Sequence, residues 1–192
     1  MTLLIAGLVL FLGVHSVRML AEDWRAHMRA RLGKGTWKGL YALLSLAGLV
    51  LIAWGFDLAR DRPLIVWLPP AALRHGAALL TLLAFVLVAA AYVPGNGIKA
   101  RLHHPMVLGV QAWALAHLLA TGMLAHLLLF GSFLVWAILN YGISRRRDRR
   151  DGVQYPSGRL NATLVTLALG VAGWAVFALG LHGLLIGIKP FG

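Results

Sequence analysis

The sequence predicts an all-α protein: a polytopic membrane helix bundle of six transmembrane helices with both termini on the periplasmic side. Three observations predict it. Of the 192 residues, 60% are hydrophobic and only 12% are charged, against about 25% charged in ordinary soluble domains. The apolar residues come in runs long enough to cross a bilayer, for which about 20 residues suffice and roughly 17 is the short limit. The lysines and arginines gather in alternate connections between those runs, as the positive-inside rule requires.

Six runs qualify as spans: Thr2–Leu20, Trp37–Phe56, Ala72–Val93, Pro105–Thr121, Met123–Tyr141 and Asn161–Gly187. The first follows Met1 directly, with no basic n-region and no small-residue cleavage site, so it reads as a retained helix rather than a signal peptide. The fourth and fifth are separated by little more than Gly122 and must form a tight hairpin. Because every connection is short, a single transmembrane domain over residues 1–192 is the simplest organisation.

Orientation follows from charge. The connection after the first span carries Arg18, Arg25, Arg29, Arg31, Lys34 and Lys38, the one after the third Lys99 and Arg101, and the one after the fifth Arg145, Arg146, Arg147, Arg149, Arg150 and Arg159. These are 14 of the 18 basic residues, and they place three connections in the cytoplasm and both termini outside. Arg60, Arg62, Arg74 and Lys189 fall on the other side. The net charge of +12 is thus membrane flanking, and no nucleic-acid partner is expected, because no basic helix with interleaved aromatics is present. The partner it implies is the lipid bilayer.

Two connections carry more than polar linker sequence. Trp24, Met28 and Leu32 recur every four residues with Arg25 and Arg29 on the other side, which is either a short interfacial helix or a solvated linker. Between the second and third spans, Arg62–Pro70 is apolar, and its prolines forbid a helix. It is expected to rest on the outer interface.

The chain has no cysteine, which excludes disulfides, thiolate ligands and covalent CxxCH attachment of a cofactor. There is no Gly-rich phosphate loop, no HExxH and no acidic pair within a span. Functional groups must therefore be sought among polar side chains at membrane depth, where a charged group costs at least about 2.5 kcal/mol. Eight histidines are many for this length. His15 lies in the first span, followed by Ser16, with Arg18 three residues on and on the same helix face. That face suits a cofactor with acidic groups; it equally suits a snorkelling arginine and a histidine bonded to a neighbouring helix. The fourth span is denser, with His104-Pro105 at its start, Gln111, Trp113 and His117 within it, and Gly109, Ala112 and Ala116 at small-residue spacing. His104 and His117 are about 19 Å apart along such a helix and cannot share a metal. His15 and His117 differ by about 10 Å in depth if both helices run straight. His75, His126 and His182 fall toward the outer half.

Gly13-Val14-His15-Ser16-Val17-Arg18, Trp37-Lys38-Gly39-Leu40-Tyr41, and His104-Pro105-Met106-Val107-Leu108-Gly109 through Trp113-Ala114-Leu115-Ala116-His117 occur in that order. The composite resembles the NnrU family along nearly the whole chain. NnrU proteins are bacterial inner-membrane (cytoplasmic-membrane) proteins linked with denitrification, where they support nitrite and nitric oxide reduction. A related protein is the 15-cis-zeta-carotene isomerase, which uses haem b. The resemblance implies a haem b between helices, with His15 and His117 as iron ligands and Arg18 as a propionate partner. Ser16, His104, Gln111 and Trp113 complete the candidate cofactor-binding set, and the partners implied are redox or denitrification proteins of the membrane. The isomerase carries a cysteine in its W-C-L-A-H run where this chain has Ala114, so ligand exchange through sulfur is lost. Bis-histidine ligation suits electron transfer or haem storage; turnover would require one ligand to leave. Whether the chain is an enzyme stays open, an isomerase-like or redox activity being what the haem would support.

Two other readings compete. Isoprenylcysteine carboxyl methyltransferases carry an R-H-P-x-Y-x-G type signature, of which His103-His104-Pro105 through Gly109 keeps the His-Pro and the glycine. No glutamate follows it, however, and only Asp148 and Asp151 are available for S-adenosylmethionine. A non-enzymatic assembly factor acting through helix faces is the third reading. Gly170/Gly173 and Ala168/Ala172 in the last span can pack internally or form a homo-oligomer.

Overall fold

A computed structural model of the chain describes residues 1–61 and 63–190. Arg62, counted above on the sparsely charged side, lies outside the described residues. The helices are α1 (Thr2–Leu20), α2 (Glu22–Leu32), α3 (Lys34–Arg60), α4 (Leu73–Tyr92), α5 (Gly97–Leu102), α6 (Pro105–Ala120), α7 (Leu124–Arg150), α8 (Leu160–Val176) and α9 (His182–Ile186). A π-helical turn, Phe177–Leu181, joins the last two. The described residues contain no strand, only the isolated bridges Ile65–Met123 and Asn96–Arg159.

Five helical stretches are long and apolar enough to cross a membrane: α1, α3, α4, α7 and the α8–α9 run Leu160–Ile186. The chain is a multi-pass membrane protein. The fourth expected span corresponds to α6, which is apolar but has 16 residues, just under the usual limit of about 17. The chain divides into two compact units.

The first unit comprises residues 1–68 and 121–136. Its frame is the antiparallel pair α1–α3, joined along a seam of glycines. A Cβ on Gly55 would lie 2.3 Å from the Leu4 nitrogen, one on Gly7 2.6 Å from the Ile52 nitrogen, and one on Gly48 2.9 Å from the Phe11 nitrogen. Small residues let backbones approach to a distance at which dispersion and Cα–H···O contacts replace the hydrophobic drive that lipid does not supply. The seam also fixes register: Leu4 opposes Gly55, Gly7 opposes Ile52, and Phe11 opposes Gly48.

Between these helices α2 is a separate 11-residue helix. Ala21 (φ −141°, ψ 54°) breaks it from α1, and Gly33 (φ +81°) from α3. Glu22 and Asp23 sit in its first turn and Arg29 and Arg31 in its last, which complements the helix dipole. None of its residues is buried, and Trp24 meets Trp37 edge-on at 5.9 Å. The connection expected as a helix or a linker is therefore a helix. The apolar segment after α3 is extended and finds backbone partners. Val66 N–H donates to the Gly122 carbonyl and Leu124 N–H to the Leu64 carbonyl, both at 2.8 Å. An apolar segment among membrane helices must satisfy its peptide groups internally, and the turn before α7 supplies them. Gly122 is required there, since a Cβ would stand 1.9 Å from the Trp67 carbonyl oxygen.

The second unit comprises residues 69–120 and 137–192. Here α4 is central, packing on α6 and on α8. Gly109 of α6 approaches the Ala84 carbonyl, and Gly170 of α8 lies so close that a Cβ would be 2.6 Å from Val86 Cα. Gly170 thus packs internally. Trp174 donates its indole N–H to Thr81 Oγ1 at 3.0 Å, joining α8 to α4. The Val93–Asn96 turn is closed by Asn96, 1% exposed. Its amide donates to the Ala90 and Val93 carbonyls, and its Oδ1 accepts from Lys99 N–H as the N-cap of α5.

Candidate functional site

In the first unit, His15 Nδ1 lies 2.7 Å from the Phe11 carbonyl oxygen one turn earlier. A carbonyl can only accept, so Nδ1 carries a proton, and the tautomer with a single ring proton has its lone pair at Nε2. The ring is boxed by aromatics. Phe11 stacks on it at 4.2 Å, Tyr41 meets it edge-on at 5.3 Å, and Trp136 stands perpendicular at 6.2 Å. Ser16 donates to the Leu12 carbonyl at 2.7 Å and accepts the Trp136 indole N–H at 3.1 Å, tying α1 to the first part of α7. Continuing the glycine register, His15 comes level with Leu44 and Ser45. Ser45 Oγ is buried with no hydrogen-bond partner. Arg18 follows His15 on α1 and is exposed. Elsewhere in this unit the His126 ring packs against Phe56 at 4.8 Å and Phe130 at 6.0 Å.

In the second unit, His117 repeats the arrangement of His15. Its Nδ1 lies 2.8 Å from the Trp113 carbonyl four residues earlier, so its lone pair too is at Nε2. The Trp113 ring lies 5.3 Å from it. Gln111 points elsewhere, donating to the Ala137 carbonyl at 3.1 Å and so joining α6 to α7.

The other end of α6 holds a separate polar cluster. His103 has φ +68° and ψ −49°, and His104 N–H donates to the Leu102 carbonyl at 2.8 Å. That is a γ-turn of the rare positive-φ kind, a conformation that costs about 1–3 kcal/mol in a non-glycine residue. The turn presents two imidazoles to the arginine-rich extension of α7. Arg145 donates to His103 Nδ1, and Tyr155 lies against the His103 ring at 4.0 Å. His104 Nε2 lies 2.7 Å from Asp148 Oδ2, which also accepts the Tyr155 hydroxyl at 2.8 Å. Tyr141 caps the Leu102 carbonyl at 3.3 Å. Desolvation and the Arg145 charge hold the His103 imidazole below its usual range. At Asp148 desolvation acts upward, but hydrogen bonds from Tyr155 and His104 outweigh it and hold the carboxyl below the ordinary range. Burial, then the bond to Asp148, pushes the Tyr155 hydroxyl up to about 12.

The residues picked out in the sequence therefore fall into three places. His15, Ser16 and Arg18 share α1; Trp113 and His117 share one end of α6; His104 is at the other end, engaged by Asp148. Among the described residues no three His, Asp or Glu side chains form a metal-binding group. Sequence reasoning did not reach Trp136, Ser45 and Tyr155, and it named Tyr41 only within the family motif and Asp148 only as an acid available to S-adenosylmethionine, not as partners of His15 and His104. For Asp148 a signal existed, since it is the lone acid inside the run Arg145–Arg150.

No curated protein matches the chain, nor does any solved structure. The sequence model of the family described as NnrU protein matches residues 3–190, nearly the whole length. This multi-pass helical chain belongs to the NnrU protein family.

Proposed function

We propose that the chain is a haem-b-binding protein of the bacterial inner membrane, with His15 and His117 as the iron ligands, supporting nitrite and nitric oxide reduction. The observation that carries the reading is the shared geometry of the two histidines. Each spends its Nδ1 proton on the carbonyl one turn earlier, which fixes the ring and leaves Nε2 as the basic nitrogen. A backbone carbonyl on the second nitrogen is the usual support of a metal-ligating histidine. The residues present also pass a simple fit test. A b-type haem brings its own four equatorial nitrogens and asks the protein for one or two imidazoles, so a three-residue metal cluster is not required. His15 is walled by Phe11, Tyr41 and Trp136, surfaces suited to a flat macrocycle, and the orphaned Ser45 hydroxyl at the same level is a donor awaiting an acceptor.

In this reading the Trp136–Ser16 bond keeps α1 from rotating, and so keeps the His15 ring aimed. Arg18, on the side nearer the basic end of α1, supplies charge for an acidic group. Bound haem would supply one-electron redox chemistry at a potential set by its axial ligands. Six crossings and periplasmic termini belong to the same reading, with α6 as a short crossing of about 24 Å.

The test is the absorption spectrum of protein purified in mild detergent, oxidised and dithionite-reduced, for wild type, His15→Ala and His117→Ala. A Soret band with sharp reduced α and β bands in wild type, degraded in both variants, is the expected result. A protein that stays colourless after haem addition, or a spectrum unchanged in both variants, refutes the assignment. Loss of nitrite and nitric oxide consumption by cells carrying either variant then tests the role in denitrification.

A further inference from the structure

Resting on the haem reading above, we propose that α2 belongs to the cofactor site: Arg25, at the centre of its inward face, binds a haem carboxylate together with the Tyr41 hydroxyl. The case begins with how α2 is turned. The spacing in the sequence sets Trp24, Met28 and Leu32 on one side, with Arg25 and Arg29 on the other. In the structure Trp24 is 52% exposed, and the half-buried residues of α2 are Glu22, Arg25 and Met28. At 100° per residue these lie on one side of the helix with Arg25 in the middle. Arg29 and Arg31 are exposed. An arginine turned toward its neighbouring helices gives up hydration. Yet among the described residues Arg25 has no carboxylate at ion-pair distance, Glu22 included.

The inward face of α2 leads to the aromatic box around His15. Trp24, next to Arg25, meets Trp37 edge-on at 5.9 Å, and Tyr41 follows Trp37 by one turn of α3. The Arg25 charge acts on the Tyr41 hydroxyl, and the Tyr41 ring stands edge-on to His15 at 5.3 Å. That hydroxyl makes no hydrogen bond among the described residues. Arg25 and Tyr41 thus connect α2 to the proposed iron ligand within one compact unit. Haem carries two carboxylates on one edge of an otherwise apolar ring, and charge is costly at membrane depth. That edge must therefore lie where cations meet it, and beside His15 the basic end of α1 and the inward face of α2 supply them. With Arg18 serving one carboxylate, Arg25 serves the other, its guanidinium offering paired N–H donors to a planar acceptor.

The experiment uses the full chain in mild detergent, prepared free of haem. It is titrated with haem b and, separately, with haem b dimethyl ester, which lacks the two charges; the Soret band follows both. Wild type is expected to prefer haem over the ester by at least about tenfold. Arg25→Gln should lose about tenfold in haem affinity and less than about twofold in ester affinity, so that the preference collapses. Arg25→Lys keeps part of the preference, and Tyr41→Phe loses about threefold. Arg31→Gln, about 120° around the helix from Arg25, keeps it to within about twofold. Haem-loaded Arg25→Gln should also show a lower midpoint potential, because a nearby positive charge favours the reduced iron. Wild type that binds neither porphyrin overturns the haem reading, and this proposal with it. Wild type that binds both equally overturns the proposal alone. So does Arg25→Gln weakening haem and ester to the same degree, which would mean a purely structural role, or Arg31→Gln losing as much as Arg25→Gln, which would mean a diffuse basic field. If Arg25→Gln fails to fold by circular dichroism, the haem-to-ester ratios of Arg25→Lys and Tyr41→Phe against Arg31→Gln decide the same question.

Discussion

Replacing Gly55 by alanine tests the seam that holds α1 to α3. The new Cβ would lie 2.3 Å from the Leu4 nitrogen and 2.7 Å from both the Leu3 carbonyl carbon and Leu4 Cα. All three are backbone atoms of a helix, so no rotamer change can relieve the clash. Ordinary contact begins near 3.4 Å, and the helices must separate locally by about 1 Å, enough to forfeit a quarter to a half of each affected dispersion well. Overpacking of this kind costs about 1–3 kcal/mol. The control is Gly13→Ala on the partner helix α1, where a Cβ meets nothing within 4 Å and the gain in helix propensity of up to about 1 kcal/mol is unopposed. Unfolding by sodium dodecyl sulfate in mixed micelles, followed by circular dichroism, compares the two. Gly55→Ala is expected to unfold at a clearly lower detergent fraction than wild type, with Gly13→Ala at or above it. Coincident curves for Gly55→Ala and Gly13→Ala would refute the backbone-contact seam.

Two further outcomes follow from the second unit. Asn96→Ala strips a buried side chain of its three hydrogen bonds and leaves the α5 N-terminus uncapped. The same unfolding assay should show a loss of about 2 kcal/mol, more than any surface substitution gives. Tyr155 has its folded-state pKa raised to about 12 from an ordinary 10.0, so the neutral hydroxyl is favoured by folding. Its contribution is complete below pH 10 and is lost as pH rises through about 12. The difference in thermal midpoint between wild type and Tyr155→Phe should therefore be constant up to pH 10 and shrink above it; a difference independent of pH up to 12 would contradict the Tyr155–Asp148 bond.

Much of the helical layout was legible because a lipid-crossing helix announces itself by composition. The span read as Thr2–Leu20 coincides with α1, and Ala72–Val93 differs from α4 by one residue at each end. What composition hides is helix that leaves the membrane. The fifth span was read to Tyr141 because arginines end the apolar run, yet α7 continues to Arg150, since arginine is a good helix former in water. For the same reason α3 begins at Lys34 and ends at Arg60. The turn helix α5, six residues long, is below what periodicity detects. Site residues divide in the same way. His15 and His117 were visible as polar groups in apolar runs. Tyr41 and Trp136 were not assigned to His15, because that contact depends on the glycine register and on a tryptophan 121 positions away. Likewise the His104–Asp148 bond joins residues 44 apart, and no local pattern encodes it.

The glycine seam also limits how this protein can move. Sliding α1 along α3 by one or two residues would set Leu4 or Phe11 against side chains where Gly55 and Gly48 now make room. The pair has discrete positions rather than a continuous track, and piston motion along it is barred. His15 and Tyr41 therefore keep a constant depth relative to each other, and any signal arriving at the histidine must tilt the two helices as one lever.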